Sequence, residues 1–593
     1  MQSAQAYLEI VRSRGARKLE LRRVYRNLQN RELFLRAYAK LCASEGALTP
    51  GTDPEDTVDG MSLPRIDSIL LSLEAGTYQW KPVRRVYIPK RNGQKRPLGV
   101  PSWSDKLLQE VIRMVLSAYY EPQFSDASHG FRPGRGCHTA LQSILFKWKG
   151  TKWFIEGDIK GCFDNIDHNK LLELIGRSIR DEQLLKLLRG MLEAGYLEDW
   201  TYHRTYSGTP RGGIISPLLA NIFLNELDTF IEQELVPQYT RGERRKVNPE
   251  YRRLTGAMAE AESRGDIERY KALEQERGGT SYGDPEDPEY RRLKYVRYAG
   301  DFLLGFVGPR TEAEEIERRI GVFLQTVGLT MSEDKTLITN ATTGRARFLG
   351  YEVTMAKGES RKYNGRRSIN GQPTLSVPQD VVRRRTERYT RRGQSYHRPE
   401  LLNNSDYDIV MAYNLEFQGL VNYYTMAHNV AAKLYRVKRV YQQSLVKTLA
   451  TKHKRKVPWV YRQHYRKQSS GIKAIVVEVP REGQAPLVAK FGAKPIRFDK
   501  RAIIEDEEPR LLTHRNEMVR RLLAERCELC GSTEDVCVHH VRSLKDLQRR
   551  YEGQTEPPRW VVTMIDLRRK TLVVCAQCHQ EIHAGRYDGP KLR

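Results

Sequence analysis

The sequence predicts a multidomain α/β protein with a basic helical region and a small metal-stapled module at its C-terminal end. Three observations carry that prediction. The chain has 593 residues, more than one hydrophobic core accommodates at roughly one domain per 150 residues. Apolar runs that carry carboxylates, such as "KWFIEGDI" and "YVRYAGDFLLGFV", alternate with helical periods such as "DKLLQEVIRMVLSAYY", as expected of strands backed by helices. Two Cys-x2-Cys pairs, "CELC" and "CAQC", lie near the end in the spacing of a tetrahedral zinc site.

Composition narrows the partner class. Lys+Arg of 100 against Asp+Glu of 73 gives a net charge of +27, which favours a polyanion, and nucleic acid in particular. The opening "MQSAQAYLEIVRSRGARKLELRRVYRNL" lacks the apolar stretch of a signal segment, and no run reaches the roughly 18 consecutive apolar residues of a bilayer span. A soluble, unsecreted protein with no membrane partner is expected. Five of the eight cysteines fall from Cys527 onward, unlike a disulfide framework and consistent with a metal-bound tail in a reducing compartment.

Taken in order, residues 1–60 form a charged helical extension that ends in the breaker-rich "GTDPEDTVDG". Residues 61–356 are the mixed α/β region, interrupted at about 240–293 by a charged, partly helical insertion. Residues 375–470 are markedly basic. Leu434, Val437, Tyr441 and Leu445 recur there at steps of three and four, so one helix face packs while Lys433, Arg436 and Lys447 stay on the others. With Lys452 and Lys454 they are candidates to lie along an RNA backbone, and Trp459, Tyr461 and Tyr465 could stack on unpaired bases. Residues 471–520 hold the strand-like "AIVVEV" and then mixed charge, and are assigned as a DNA-binding or linker region; residues 521–593 form the metal module.

Asp158 follows an apolar strand-like run in "WFIEGDIKGCFDNIDH", where an ionised carboxylate is costly to bury without a cation. Two-metal phosphoryl transfer draws acidic ligands from separate strands, and Asp158 and Asp301 are the candidates for both metal binding and catalysis. Each read alone fits a turn or cap residue. In the tail, Cys527, Cys530, Cys575 and Cys578 are the proposed zinc ligands. His539, His540, His579 and His583 are imidazoles such a site does not need, and His579 and His583 share one helix face.

The ordered motifs "RRVYIPKRNGQKRPLGVPSWSDKLLQEVIR", "SHGFRPGRGCHTAL", "GDIKGCFDNIDH", "GTPRGGIISPLLANIFLNELD", "YVRYAGDFLLG", "GLTMSEDKT" and "FLGYEV" resemble the reverse transcriptases encoded by bacterial group II introns. The resemblance implies right-hand polymerase fingers and palm, with Asp158 as first Mg2+ ligand and Phe163 as a gate against ribonucleotides. Lys90 and Arg96 would meet the triphosphate. Two positions depart from the family pattern. Where it has Ala-Asp-Asp, this chain has Ala299, Gly300 and Asp301; where it usually has Gln beside the incoming nucleotide, this chain has Arg211. Loss of one anionic ligand implies an impaired polymerase; the alternative is a fully active one that uses Asp158 and Asp301.

"FQGLVNYYTMAHN" and "SLVKTLATKHK" resemble the family's helical thumb, or maturase domain, which implies binding of the cognate intron RNA and help in its splicing. The tail resembles an HNH nuclease, a small ββα-metal fold, here with a four-cysteine zinc site. That implies His539, His579 and His583 around a catalytic Mg2+, His540 as the base that activates water, and double-stranded target DNA as substrate in the mobility of the intron. Thr571 stands where many relatives carry Asn. The implied location is the bacterial cytoplasm, on the nucleoid during targeting. Competing readings are an RNA-binding splicing cofactor without enzymatic activity and, for the tail alone, a zinc-ribbon DNA binder.

Overall fold

The computed structural model describes residues 2–585 apart from 45, 90–92, 94, 199–200, 206, 209–211, 357–361, 364–365, 368–370, 482–483, 504–516, 552–553 and 555. At its centre is a four-stranded antiparallel sheet in the order Leu337–Asn340, Trp153–Asp158, Asp301–Val307, Arg292–Tyr298. Successive side chains of a strand point to opposite faces, and here both faces are covered. Ile155, Phe302 and Leu304 enter the core formed with the helices Trp103–Tyr120 and Ser216–Phe230. Phe154, Val296 and Leu303 enter a second core shared with the thumb helices. Burial on both sides explains why these strands read as nearly continuous apolar runs.

The fingers carry a second sheet, ordered Lys95–Val100, Val83–Pro89, Tyr196–Glu198, Thr201–His203. The charged insertion forms two helices, Pro249–Ser263 and Ile267–Gly279. Its ends are drawn together by the bridges Arg241↔Arg291 and Val247↔Gly283, so the helices branch from the palm without disturbing its sheet.

The thumb contains the helices Asp406–Tyr424, Val430–Lys452 and Val457–His464. The stripe Leu434, Val437, Tyr441 and Leu445 is buried, as its spacing predicts. Residues 471–520 are not a linker throughout. The strands Lys473–Arg481 and Gln484–Phe491 pair as a hairpin, and Ile475, Val477, Ala489 and Phe491 join the thumb core. A strand whose alternate residues are buried in this way is part of the domain beside it.

The terminal module pairs Val536–His540 with Thr571–Cys575 and continues into the helix Ala576–Ala584. A two-residue strand from the N-terminal side, Met61–Ser62, extends this sheet through Met61↔Val538 and Ser62↔Cys537. Cys537, Leu572 and Val574 face the module's own core. Val536, Val538 and Val573 face the core that also contains Phe34, Tyr38 and Met61. The first and last parts of the chain thus share one apolar interior.

Candidate metal centres

In the palm, Asp158 and Asp301 are directly paired across antiparallel strands. The turn between Tyr298 and Asp301 is fixed from below by the buried Arg297. Its guanidinium donates to Asp228 at 2.7 and 2.5 Å, to Ser128 Oγ at 2.9 Å and to the Ala299 carbonyl at 3.0 Å. Asp228 also accepts from the Tyr295 hydroxyl at 2.8 Å. Gly157 permits the pairing, because a Cβ there would lie 2.1 Å from the Phe302 ring.

Asp301 is exposed as a residue, but its carboxyl end sits against Asp158. Desolvation of that carboxyl, then the hydrogen bond and charge of Asp158, push its pKa up to about 7. Two adjacent carboxylates that resist joint ionisation are a suitable donor set for a divalent cation. Gly300 adds no donor. A Cβ built on it points to Cys162 Cβ at 3.1 Å and Ile159 Cβ at 3.8 Å, towards the loop after Asp158.

Lys335, which the sequence reading did not single out, places Nζ 2.5 Å from Asp158 Oδ2. Its loop is fastened there by Ser332 N donating to Asp158 O at 2.8 Å and by the bridge Ile159↔Met331. Arg96 is near enough for its charge to act on the Lys335 ammonium, which brings the fingers hairpin to the carboxylates. Phe163 is half-buried, edge-on to Phe131 with ring centroids 6.1 Å apart. Lys90 and Arg211 lie outside the described residues.

In the terminal module the four thiols of Cys527, Cys530, Cys575 and Cys578 converge within 4.8 Å of one another. Cys530 and Cys575 Sγ are 3.7 Å apart, close to the edge of about 3.8 Å that a tetrahedron with zinc–sulfur bonds of about 2.3 Å requires. The backbone N–H groups of Cys530 and Cys578 point to the sulfurs of Cys527 and Cys575 at 3.4 and 3.5 Å. This donor set fits zinc.

A second cluster joins His539, His579 and His583 with Asp59, a residue of the N-terminal loop. Asp59 Oδ1 is 3.1 Å from His579 Nε2 and 3.4 Å from His539 Nδ1, and Oδ2 is 2.8 Å from His583 Nε2. Neither ring nitrogen of the buried His539 has a properly formed hydrogen bond. A buried imidazole without a well-formed hydrogen bond, grouped with three other donors, fits a divalent cation. Burial alone would raise the Asp59 pKa, but the imidazoles of His539 and His579 hold it far below the ordinary carboxylate range. Cys537 contacts His579 from the same strand face as His539.

His540 does not join this cluster. Next to His539 on a strand, it points to the opposite face, buried with Nε2 3.5 Å from the Tyr38 hydroxyl. Burial pushes its pKa down to about 4. In this arrangement His540 therefore stands apart from the histidine cluster, on the other face of the strand. Thr571, directly across from His540, is held by the Arg521 guanidinium at 3.3 Å.

The candidate RNA contacts divide. Arg436 and Lys454 are exposed. Lys433 donates to Gln379 at 2.6 Å, Lys447 to the Ser395 carbonyl at 2.6 Å, and Lys452 to the Asn404 carbonyl at 2.7 Å and Asp406 at 2.6 Å. Trp459, Tyr461 and Tyr465 pack partly against the thumb core.

Asp59 gave no local signal: "TVDG" reads as a breaker loop, and its partners lie some 480 to 524 positions away. Lys335 lies in a quoted motif, yet nothing in "SEDKT" tells a site lysine from a turn lysine.

Comparison with known proteins agrees with this geometry. Residues 88–353 match reverse transcriptase (RNA-dependent DNA polymerase), residues 382–471 the type II intron maturase, and residues 527–579 the AI2M/AI1M-like HNH endonuclease. The group II intron-encoded protein LtrA of Lactococcus lactis subsp. cremoris is 38% identical over 591 residues, covering 94% of this chain and 95% of its own. The "Uncharacterized 91 kDa protein in cob intron" of Schizosaccharomyces pombe is 34% identical, covering 95% of this chain and 70% of its own. "Nuclear intron maturase 1, mitochondrial" of Arabidopsis thaliana is 23% identical, covering 53% and 51%. Reverse transcriptase, maturase and HNH segments follow one another in a single polypeptide, and this chain belongs to the group II intron-encoded proteins.

Proposed function

We propose that this protein binds its own intron RNA, assists the splicing of that RNA, and nicks double-stranded target DNA through its terminal module, while Gly300 leaves its reverse transcriptase impaired. The carrying observation is the palm ladder, where Asp158 faces Asp301 and the residue at the turn between the strands supplies no carboxylate. Mg2+ bound there would neutralise charge that develops in phosphoryl transfer. Asp158 and Asp301 would hold it, Lys335 and Arg96 would meet phosphate charge, and Phe163 would bound the sugar side. Asp301 does not replace a residue-300 carboxylate, because adjacent positions of an extended hairpin project differently.

Primer extension on an RNA template tests this reading. Gly300→Asp should copy at least about tenfold faster than wild type, since losses even beyond the ligands themselves cost about that much. Cys162 must yield a few tenths of an ångström to admit the new Cβ, a small shift for a residue on a turn. Asp158→Asn sets the floor. Equal rates for wild type and Gly300→Asp would sink the claim of impairment and favour an active site built on Asp158 and Asp301 alone.

The maturase role needs no palm carboxylate. A protein that prefers the folded RNA shifts that RNA's equilibrium by mass action, and the exposed Arg436 and Lys454 support such binding. Splicing of the cognate intron at low Mg2+ should accelerate on addition of the protein. For the nuclease, Zn2+ at the four-cysteine site supports the fold, and His539, His579 and His583 would hold Mg2+, with His540 taking the water proton once accessible. We place the protein in the bacterial cytoplasm, on the nucleoid while it acts on DNA.

A further inference from the structure

We infer that Asp59 is a fourth protein ligand of the nuclease's ion, and that its bond clips the terminal module to the N-terminal region in a closed state that withholds His540 and one ligand position of the ion from DNA.

The metric argument is direct. Bonds of about 2.0–2.1 Å put neighbouring ligand atoms about 3.3 Å apart on a tetrahedral ion and about 2.9 Å apart on an octahedral one. Asp59 Oδ1 lies 3.1 Å from His579 Nε2 and 3.4 Å from His539 Nδ1, and its Oδ2 lies 2.8 Å from His583 Nε2, a span that brackets both spacings. His539 is 4% exposed and neither of its ring nitrogens is satisfied by hydrogen bonding, so it lacks a partner that an ion would supply. Asp59 completes a set of three imidazoles and one carboxylate drawn from both ends of the chain.

The surrounding contacts form a dock. Asp59 Oδ1 accepts from the His540 N–H at 2.8 Å, and Gly60 N donates to the Val538 carbonyl at 3.0 Å. Met61 and Ser62 then add a strand to the module's sheet, and Val538 and Val573 share a core with Tyr38 and Met61.

Three imidazoles leave one position open on a four-coordinate ion and three on a six-coordinate ion such as Mg2+. In this arrangement the Asp59 carboxylate, itself an oxyanion, would compete with a scissile phosphate oxygen for one of those positions. A cleft of about 360 Å3 lined by His539, His583, Arg542 and Arg550 adjoins the cluster, and its arginines suit a phosphate backbone. His540, on the strand's other face, is buried against Tyr38 by the same dock. The contact region made by Asp59–Ser62 and Tyr38 therefore withholds two requirements for hydrolysis. Opening it separates the carboxylate bond, a two-residue ladder and the apolar contact, and also strains the Lys545–Asp408 ion pair at 2.6 Å that ties the module to the thumb.

This inference rests on the metal-nuclease reading, and the experiment separates their failures. Full-length wild type, Asp59→Ala, Asp59→Asn and His579→Ala, each with zinc already in the four-cysteine site, are titrated with Co2+ by visible absorbance. Amide exchange over Val536–His540 is followed with and without Co2+, and nicking of supercoiled plasmid is measured at saturating Mg2+. Asp59→Ala and Asp59→Asn should bind Co2+ at least about tenfold more weakly. Linkage requires that Co2+ slow exchange at the dock in wild type and lose that effect in both variants. Asn keeps an acceptor for the His540 N–H, so loss of the effect in Asp59→Asn assigns it to the ion. Both variants should nick faster than wild type. Unchanged Co2+ affinity in both Asp59 variants would overturn the ligand; weaker affinity with Co2+-dependent protection retained, or with slower nicking, would overturn the closed state. Co2+ binding to His579→Ala equal to wild type would instead overturn the ion site itself.

Discussion

At the palm hairpin the Arg297 guanidinium, wholly buried, uses its donors on Asp228, Asn221, Ser128 and the Ala299 carbonyl. A buried cation stripped of its partner is costly, about 3–5 kcal/mol. Asp228→Ala should lower unfolding free energy by that order in urea titration, and primer extension should fall with it because the turn before Asp301 loses its support. His129 makes a second residue-scale case. Burial first, then the charges of Arg135 and Arg132, push its pKa down to about 4. The unfolded chain binds a proton near pH 6.5 that the folded chain refuses until about pH 4, so stability is full above that window and is lost as pH falls through it. His129→Gln should flatten the pH dependence of stability between pH 6.5 and 4 by roughly 1 kcal/mol per pH unit, read from urea midpoints at several pH values.

The thumb helix Val430–Lys452 shows how one element divides its charges. Its apolar stripe enters the core, while Lys447 and Lys452 turn back to cap carbonyls of the preceding segment. Those amines tie the helix down; Arg436 on it and Lys454 in the turn just after it are exposed. Arg436→Ala combined with Lys454→Ala should therefore weaken intron RNA binding and reduce the slope of log affinity against log salt by about one to two. Lys452→Ala should instead lower the melting temperature with little change in that slope. Filter binding at several salt concentrations, beside thermal melts, distinguishes the two outcomes.

Across the whole molecule, the N-terminal helices, the palm helices and one face of the terminal sheet enclose a common core. Zinc loss should consequently reach beyond the tail. Folding of a small metal module is coupled to its ion, so removing zinc from the four-cysteine site should unfold the module and expose Phe34, Tyr38 and Met61. Faster amide exchange in the helix Arg31–Leu41 after chelation, reversed by zinc, is the expected result; exchange confined to residues after Cys527 would show that the shared core does not couple them.

Periodicity and spacing alone located the carboxylate strands, the buried stripe of the thumb helix and the two Cys-x2-Cys pairs, because each strand, stripe and pair is encoded within a short stretch of neighbouring residues. The hairpin at Lys473–Arg481 was legible as a strand but not as part of the thumb, since an apolar alternation does not say which core receives it. Lys335 beside Asp158, Asp59 among the histidines and His540 against Tyr38 were decided only by tertiary structure. Local sequence sets what a segment can form and which face is apolar; which distant charge fills a site depends on how separate elements pack, and that choice leaves no mark in the few residues around either partner.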